Sequence, residues 1–276
     1  MMAYEELFHL RTLDGHASTR PLELKYYNIF LLEGSGTISV DFVEYAFQGR
    51  VALFTSPYQH ILLNGTPDLR IEQLSFHGDF YCIEYHKQEV ACNGLLFNNI
   101  YKQPFIPLHD GELHTIFNRI RSEIKQNQPF SEPILRTYLQ LILAFSSRTK
   151  LQMQSLKVAE APSGIEQFKE LLEKHFLNNR TIDFYATELA LSPTTFAKRC
   201  KSYFGKSPSQ LIQERVVLEA KKELHLTRKS VKEVAAALRF EDEHYFSRFF
   251  KKHTGVSPTV FREKVGISIV ADSSMR

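Results

Sequence analysis

This chain has few of the residues that build disulfide frameworks, metal centres or membrane spans. Its cysteines are Cys82, Cys92 and Cys200, an odd number with no CxxC spacing. That count excludes a paired disulfide scaffold and a structural zinc site, and the three are expected as buried or half-buried thiols. His60, His77 and His86 are scattered, with no HxH pair and no carboxylate at ligand spacing. A metal site needs three or four convergent ligands, so neither metal nor cofactor is expected. Apolar runs such as Ile29–Leu32 are far too short to span a bilayer. Met1-Met2-Ala3-Tyr4-Glu5-Glu6 lacks the basic-then-apolar pattern of a secretory signal. The expected location is the cytoplasm, without a membrane partner.

The excess of positive charge is small, +3 over 276 residues, but it is unevenly placed. From residue 165 onward there are 20 Lys and Arg against 14 Asp and Glu, whereas the earlier part is slightly acidic. A basic second half points towards a polyanion.

What is present is a phrase spoken twice. Phe196, Gly205, Ser207 and Pro208 recur as Phe246, Gly255, Ser257 and Pro258, each at an offset of 50. Gly, Ser and Pro carried together at a fixed offset spell a helix stop, a short turn and a new helix start. Two copies make a tandem pair of helical units, not a solenoid.

Each copy reads as a short helix, a tight turn and a capped second helix, the layout of a helix-turn-helix. In the first, a helix from Thr181 to Leu189 is followed by a turn at Ala190-Leu191. Ser192 then caps a helix with Pro193 at its first position. In the second, Ser230 and Glu233 form a capping box, Phe240-Glu241 makes the turn, and Asp242 caps a helix from Glu243 to His253. A long helix from about Pro208 to Leu226 joins the copies, with Leu211, Val217, Leu218 and Leu224 inward and Arg215 polar. Phe196, Phe246 and Phe249 sit at core spacing.

The first half is read as strands. Tyr26–Leu32 stops at Glu33-Gly34-Ser35-Gly36, and Thr37–Phe42 alternates. Val43–Phe47, Val51–Thr55, Gln59–Leu63, Leu69–Phe76 and Phe80–Tyr85 follow, with Asn64-Gly65 as a hairpin signal. About seven strands at this spacing suggest a small barrel or sandwich. Such a barrel can hold a small ligand in its mouth or be filled with its own side chains. Tyr27, His60 and Tyr81 are the candidate ligand contacts. Helices over 110–126 and 132–146 follow. The apolar set of the second is wider than one stripe, which leaves surface for a second subunit. Ser146 to Gly164 turns polar and aperiodic, and reads as a linker.

The stretch from about 165 to 263 resembles the DNA-binding domain of the AraC/XylS family of bacterial transcription regulators. Its strongest passage is Phe240-Glu241-Asp242-Glu243-His244-Tyr245-Phe246-Ser247-Arg248-Phe249-Phe250-Lys251-Lys252, continuing through Gly255 and Ser257-Pro258 to Phe261-Arg262. Arg239 replaces the family's usual Gly before Phe240, and His244 stands where Ser is common. The strand-rich half is similar in order and pattern to the family's cupin-like sensor domain.

The resemblance implies an α+β chain of two domains. Residues 1–146 form a cupin-like β-barrel with two helices for sensing and dimerisation, and 147–164 a linker. Residues 165–264 form an all-α tandem helix-turn-helix domain, and 265–276 a tail. It further implies a sequence-specific regulator whose recognition helices enter adjacent major-groove segments of double-stranded DNA. Expected contacts are Thr194, Thr195, Lys198, Arg199 and Lys201 in the first helix. In the second they are Glu243, His244, Tyr245, Arg248, Lys251 and Lys252. The partners implied are operator DNA, RNA polymerase, a small-molecule effector and a second copy bound through helices 110–126 and 132–146. A cupin-type enzyme would need a metal constellation or a paired acid and base, and the sequence offers neither. An architectural DNA binder, with the first half only a dimeriser, is the other reading.

Overall fold

The computed structural model describes residues 4–13, 22, 24–41, 43–59, 61–81, 94–157 and 164–267. They divide into two compact units. One comprises Met1–Asn99 and Gln103–Met153, the other Ile100–Lys102 and Gln154–Arg276.

The first unit is an antiparallel sheet backed by two helices. A one-turn helix α1 (Tyr4–Leu7) leads into β1 (Phe8–Leu13). β2 (Tyr27–Val40) and β3 (Val43–Thr55) form a long hairpin, paired from Asn28↔Thr55 to Val40↔Val43. The strands expected to stop at Glu33-Gly34-Ser35-Gly36 are one strand, because β3 pairs straight across that polar stretch. β4 (Ile61–Gly65) and β5 (Arg70–Phe76) follow. Both pair with β2, β4 along Gly36–Val40 and β5 along Tyr27–Glu33. Asn64-Gly65 therefore opens no hairpin. It ends the first half of a broken strand that runs along one edge of β2. The break is closed by Thr66 N–H donating to Ser35 O at 3.1 Å and Leu69 N–H to Thr66 O at 2.9 Å. A Cβ on Gly36 would lie 2.3 Å from the Asn64 carbonyl oxygen, so close backbone approach fixes glycine there.

β6 (Phe105–Pro107) completes the order β1-β5-β2-β3-β6. The sheet is not closed into the expected barrel. Its edge strands β1 and β6 do not pair with each other, and β6 is three residues long and ends in Pro107, which has no N–H to extend a ladder. Alternation sorts the side chains onto two buried faces. Tyr27, Ile29, Leu31, Ala52, Phe54 and Phe76 face α2 (Glu112–Gln126) and α3 (Ser131–Lys157), meeting Phe117, Ile120, Leu139 and Ile142. Phe30, Leu32, Ile38, Leu53, Leu63 and Phe105 fill the other face with the sheet's own side chains. Each such burial contributes about 1.5–3 kcal/mol before chain entropy is counted.

The helix expected to end near residue 146 runs on to Lys157, so the first part of the expected linker is helix. The polar residues there are satisfied instead of solvated. Lys150 is 3% exposed, and its Nζ donates to the Phe105 carbonyl at 3.1 Å and to that of Gln103. Thr149 Oγ1 donates to Phe145 O at 3.1 Å. Residues 158–163 of the expected linker, 268–276 of the expected tail and Cys82–Tyr85 of the seventh expected strand lie outside the described residues. Phe80 and Tyr81, which would begin that strand, sit in a turn and bend.

From Ile165 onward the elements described in the second unit are helices: α4 (Ile165–His175), α5 (Ile182–Glu188), α6 (Pro193–Phe204), α7 (Pro208–Leu226), α8 (Val231–Ala237), α9 (Glu243–Thr254) and α10 (Pro258–Val265). α4–α6 pack around Phe168, whose ring meets Tyr185 at 5.3 Å and Phe196 at 4.9 Å. α8–α10 pack around Phe246, Phe250 and Phe261, with centroids 5.9 and 5.4 Å apart in turn. α7 joins the two bundles. Its buried face comprises Leu211, Ile212, Val216, Val217, Ala220 and Leu224, while Leu218 is only half-buried. Arg215 is not a surface base. Its Nε donates to Glu173 at 2.8 Å and its Nη1 to Glu219 at 3.0 Å, with the guanidinium 3.9 Å from the Phe176 centroid. That planar fork fastens α4 to α7.

Candidate nucleic-acid interface

Two capped helices, α6 and α9, are built from the same punctuation. Ser192 Oγ accepts the Thr195 N–H at 3.2 Å to start α6, and Asp242 Oδ1 accepts the Tyr245 N–H at 2.7 Å to start α9. Each satisfies a backbone donor that the first helical turn leaves open. Gly205 and Gly255 end them at φ 73° and 78°, with their N–H groups on Lys201 O and Lys251 O. Ser207 and Ser257 then cap α7 and α10, accepting from Gln210 N at 3.3 Å and Val260 N at 3.3 Å.

The turns entering the two helices also share a backbone. Ala190 N–H donates to Thr187 O and Leu191 N–H to Ala186 O; Arg239 N–H donates to Ala236 O and Phe240 N–H to Ala235 O. This is the Schellman closure, and it places Ala190 at φ 51° and Arg239 at φ 57° in the left-handed region. Arg239 thus keeps the turn that a glycine would make, at a steric cost of about 1–2 kcal/mol. The second turn is one residue longer before its cap, through Glu241.

Burial divides each helix cleanly. On α6, Phe196, Cys200 and Phe204 face inward, and burial pushes the Cys200 thiol up to about 12, far from a reactive thiolate. Thr194, Thr195, Lys198 and Lys201 are exposed and Arg199 is half-buried. On α9, Phe246, Phe250 and Thr254 are inward, whereas Glu243, His244, Arg248, Lys251 and Lys252 are exposed. Phe249, expected in the core, is half-buried between Phe240 at 5.2 Å and His253 at 4.7 Å. Tyr245 is 52% exposed and rests on the Phe240 ring at 5.6 Å.

Between α7 and α9 lies a cleft of about 530 Å³ with an apolar floor of Ile212, Val216 and Phe240 and a rim that carries Arg180, Arg248 and Lys252. Sequence reasoning passed over Arg180 because its partners are distant in the chain. Its Nη2 donates to the Leu238 carbonyl, and its guanidinium lies 4.4 Å from the Phe240 centroid. Burial holds its pKa below the ordinary arginine value, while Tyr245 and Tyr185 act in the opposite sense.

Two of the three candidate ligand contacts are described. Tyr27 and Tyr81 are buried against the helix side of the sheet, both on the Phe76 ring, at 5.5 and 6.5 Å. His60 lies outside the described residues. Among the described residues, no three His, Cys, Asp or Glu side chains gather at metal-ligand spacing. No described helix is long and apolar enough to cross a membrane.

Exposed threonine, lysine and arginine on two equivalently capped helices define a tandem helix-turn-helix unit. Residues 185–264 match the family described as a helix-turn-helix domain. This unit is similar to the DNA-binding domain of the AraC/XylS family. It is 28% identical over 125 residues to the HTH-type transcriptional regulator ExsA of Pseudomonas aeruginosa, covering 45% of each chain. The chain therefore spans under half the length of the first curated relatives it matches. It is 20% identical over 197 residues to the HTH-type transcriptional activator RhaR of Escherichia coli, covering 70% of each. A crystal structure of unsaturated fatty acid-bound ToxT from Vibrio cholerae is 17% identical, covers 95% of this chain and 96% of that one, and has a TM-score of 0.44.

Proposed function

We propose that this chain is a sequence-specific regulator of transcription that grips one face of double-stranded DNA with α6 and α9. The observation that carries this reading is the pair itself. Two helices with side-chain caps, each entered through a left-handed turn and held by one continuous helix of 19 residues, each present an outward face of hydrogen-bonding and cationic side chains. Adjacent major-groove segments on one face recur about every 34–36 Å, the spacing such a pair must meet. Thr194, Thr195, Lys198 and Arg199 read or flank the first segment, with Lys201 nearer the backbone. Glu243, His244 and Arg248 read the second, with Tyr245, Lys251 and Lys252 towards phosphate.

The first unit is the controlling element in this reading, and a second copy is its partner. Ile134, Leu141 and Leu151 of α3 are 38%, 40% and 52% exposed, and Phe130 before the helix is 79% exposed. Ile134 and Leu141, seven residues apart, lie on one face of α3, an exposed apolar pair of the kind through which two helices pair.

Selection of duplexes from a random pool by the full chain tests the reading. A bipartite consensus should emerge whose affinity falls steeply with salt. Recovery of unrelated sequences at every salt concentration would overturn it. Ultracentrifugation of the full chain tests the pairing. Leu141→Glu should shift a dimer towards monomer, and a monomeric wild-type chain would remove the second copy.

A further inference from the structure

Packing of helix on helix in the second unit runs within each bundle and from each bundle to α7. A single continuous helix fixes separation well but resists twist and bend less well. A second tie, made by a side chain outside α7, would limit that freedom, and Arg180, on the rim of the cleft beside α7, is placed as one. It precedes α5 in the first bundle, yet its guanidinium bonds the carbonyl of Leu238, the C-cap residue of α8 in the second. That carbonyl stands at the negative end of a helix and is one of those the last turn leaves without an intrahelical donor. The same guanidinium lies over Phe240, which in turn touches Tyr245, Phe246 and Phe249 of α9. A chain of contacts thus runs from the first bundle through Arg180 and Phe240 to the base-reading helix of the second.

We propose that Arg180 is a positioning residue that sets the angle between the two recognition helices, and with it the operator spacing the protein accepts. The inference rests on the reading that α6 and α9 engage one duplex. Arginine suits the task because one planar group donates along its edge and stacks on its face, which a lysine ammonium does not do. The cleft beneath Arg180 leaves the bundles room to shift once the tie is cut.

The test uses the full chain, its selected duplex, and duplexes with one base pair added or removed between the two segments. One base pair turns the second segment by about 34° and moves it by about 3.4 Å. Wild type should lose about a hundredfold in affinity on either change. Arg180→Gln should lose about tenfold on the native spacing and show little further loss on the altered ones. Arg180→Lys should resemble Arg180→Gln, since charge alone does not rebuild the fork. Thermal unfolding followed by circular dichroism checks that each variant is folded. If Arg180→Gln does not fold, Arg180→Lys carries the same comparison. If neither folds, Arg180 is a core residue and the inference fails. An equal loss on all spacings, or none, would also overturn it, leaving a phosphate contact or no contact. A wild-type chain that selects no duplex would instead overturn the function proposed above.

Discussion

The two helix-turn-helix bundles share a backbone and differ in chemistry. Caps, left-handed turns and terminal glycines correspond one for one. The faces they carry do not. α6 offers two small hydroxyls, Thr194 and Thr195, beside the cations Lys198, Arg199 and Lys201. α9 offers a carboxylate, an imidazole, a phenol and a guanidinium, each with directional bonding. On the proposed reading, a fixed frame with exchangeable faces lets the duplicated fold read two different segments. Specificity then resides in a few side chains while the Gly-Ser-Pro punctuation stays constant.

If the frames are equivalent, matched lesions should cost alike. Phe196→Ala and Phe246→Ala remove fully buried rings at corresponding positions and should each destabilise by about 3–5 kcal/mol in urea unfolding of the full chain. A difference larger than that range would show that the bundles are not energetic equals. If the faces are not equivalent, Arg248→Ala should cost about 1–3 kcal/mol of specific binding and relax choice in the second segment alone. Lys198→Ala should act on the first segment alone. Gel shifts on duplexes altered one segment at a time separate the two, and crossed effects would break the assignment.

Replacing both Lys251 and Lys252 by alanine should weaken all duplexes similarly and reduce the slope of log K against log salt by about two. An unchanged slope would place both ammonium groups away from phosphate. At the caps, Ser230→Ala should cost about 1 kcal/mol in thermal unfolding. Ser230 Oγ accepts from Glu233 N–H at 3.2 Å, and Ser230 N–H donates to the Glu233 carboxylate at 2.7 Å. The second bond, with the Ser230 side chain also contributing, holds the Glu233 carboxyl below its ordinary value of 4.5. The stabilisation is therefore present above that value and is lost as pH falls through the depressed folded one. Ser230→Ala should reduce this acid limb only in part, because the backbone N–H bond to the Glu233 carboxylate survives the substitution. Smallest of all, Arg239→Gly and Ala190→Gly should each stabilise by up to about 1 kcal/mol, by relieving left-handed strain against the added freedom of the unfolded glycine. Destabilisation at either site would mean the replaced side chain holds something the turn geometry does not reveal.

How much of this was legible in the sequence depended on how local each signal was. Helix ends were, because Ser192, Ser230, Asp242, Gly205 and Gly255 act on backbone groups three or four residues away. Strand existence was legible from alternation in Thr37–Phe42 and Leu69–Phe76, but strand pairing was not. Asn64-Gly65 carries the composition of a hairpin turn, yet β2 offers its whole edge and both flanking segments take it. Closure into a barrel depended on whether the distant edges meet, which no local pattern encodes. The helical part of the expected linker was hidden because Lys150 finds carbonyl partners more than forty residues back. Of the interface, the exposed face was readable from periodicity. Arg180 and Arg215 were not, since a guanidinium's partners are set by tertiary approach and not by spacing.

The central claim is that α6 and α9 read two segments of one duplex together. Hydroxyl-radical footprinting of the full chain on its selected duplex tests it most directly. The account predicts two protected patches on one face, about one helical turn apart. Arg248→Ala should remove the patch belonging to α9 and leave the other in place. A single short patch, or protection that Arg248→Ala leaves unchanged at both segments, would contradict it.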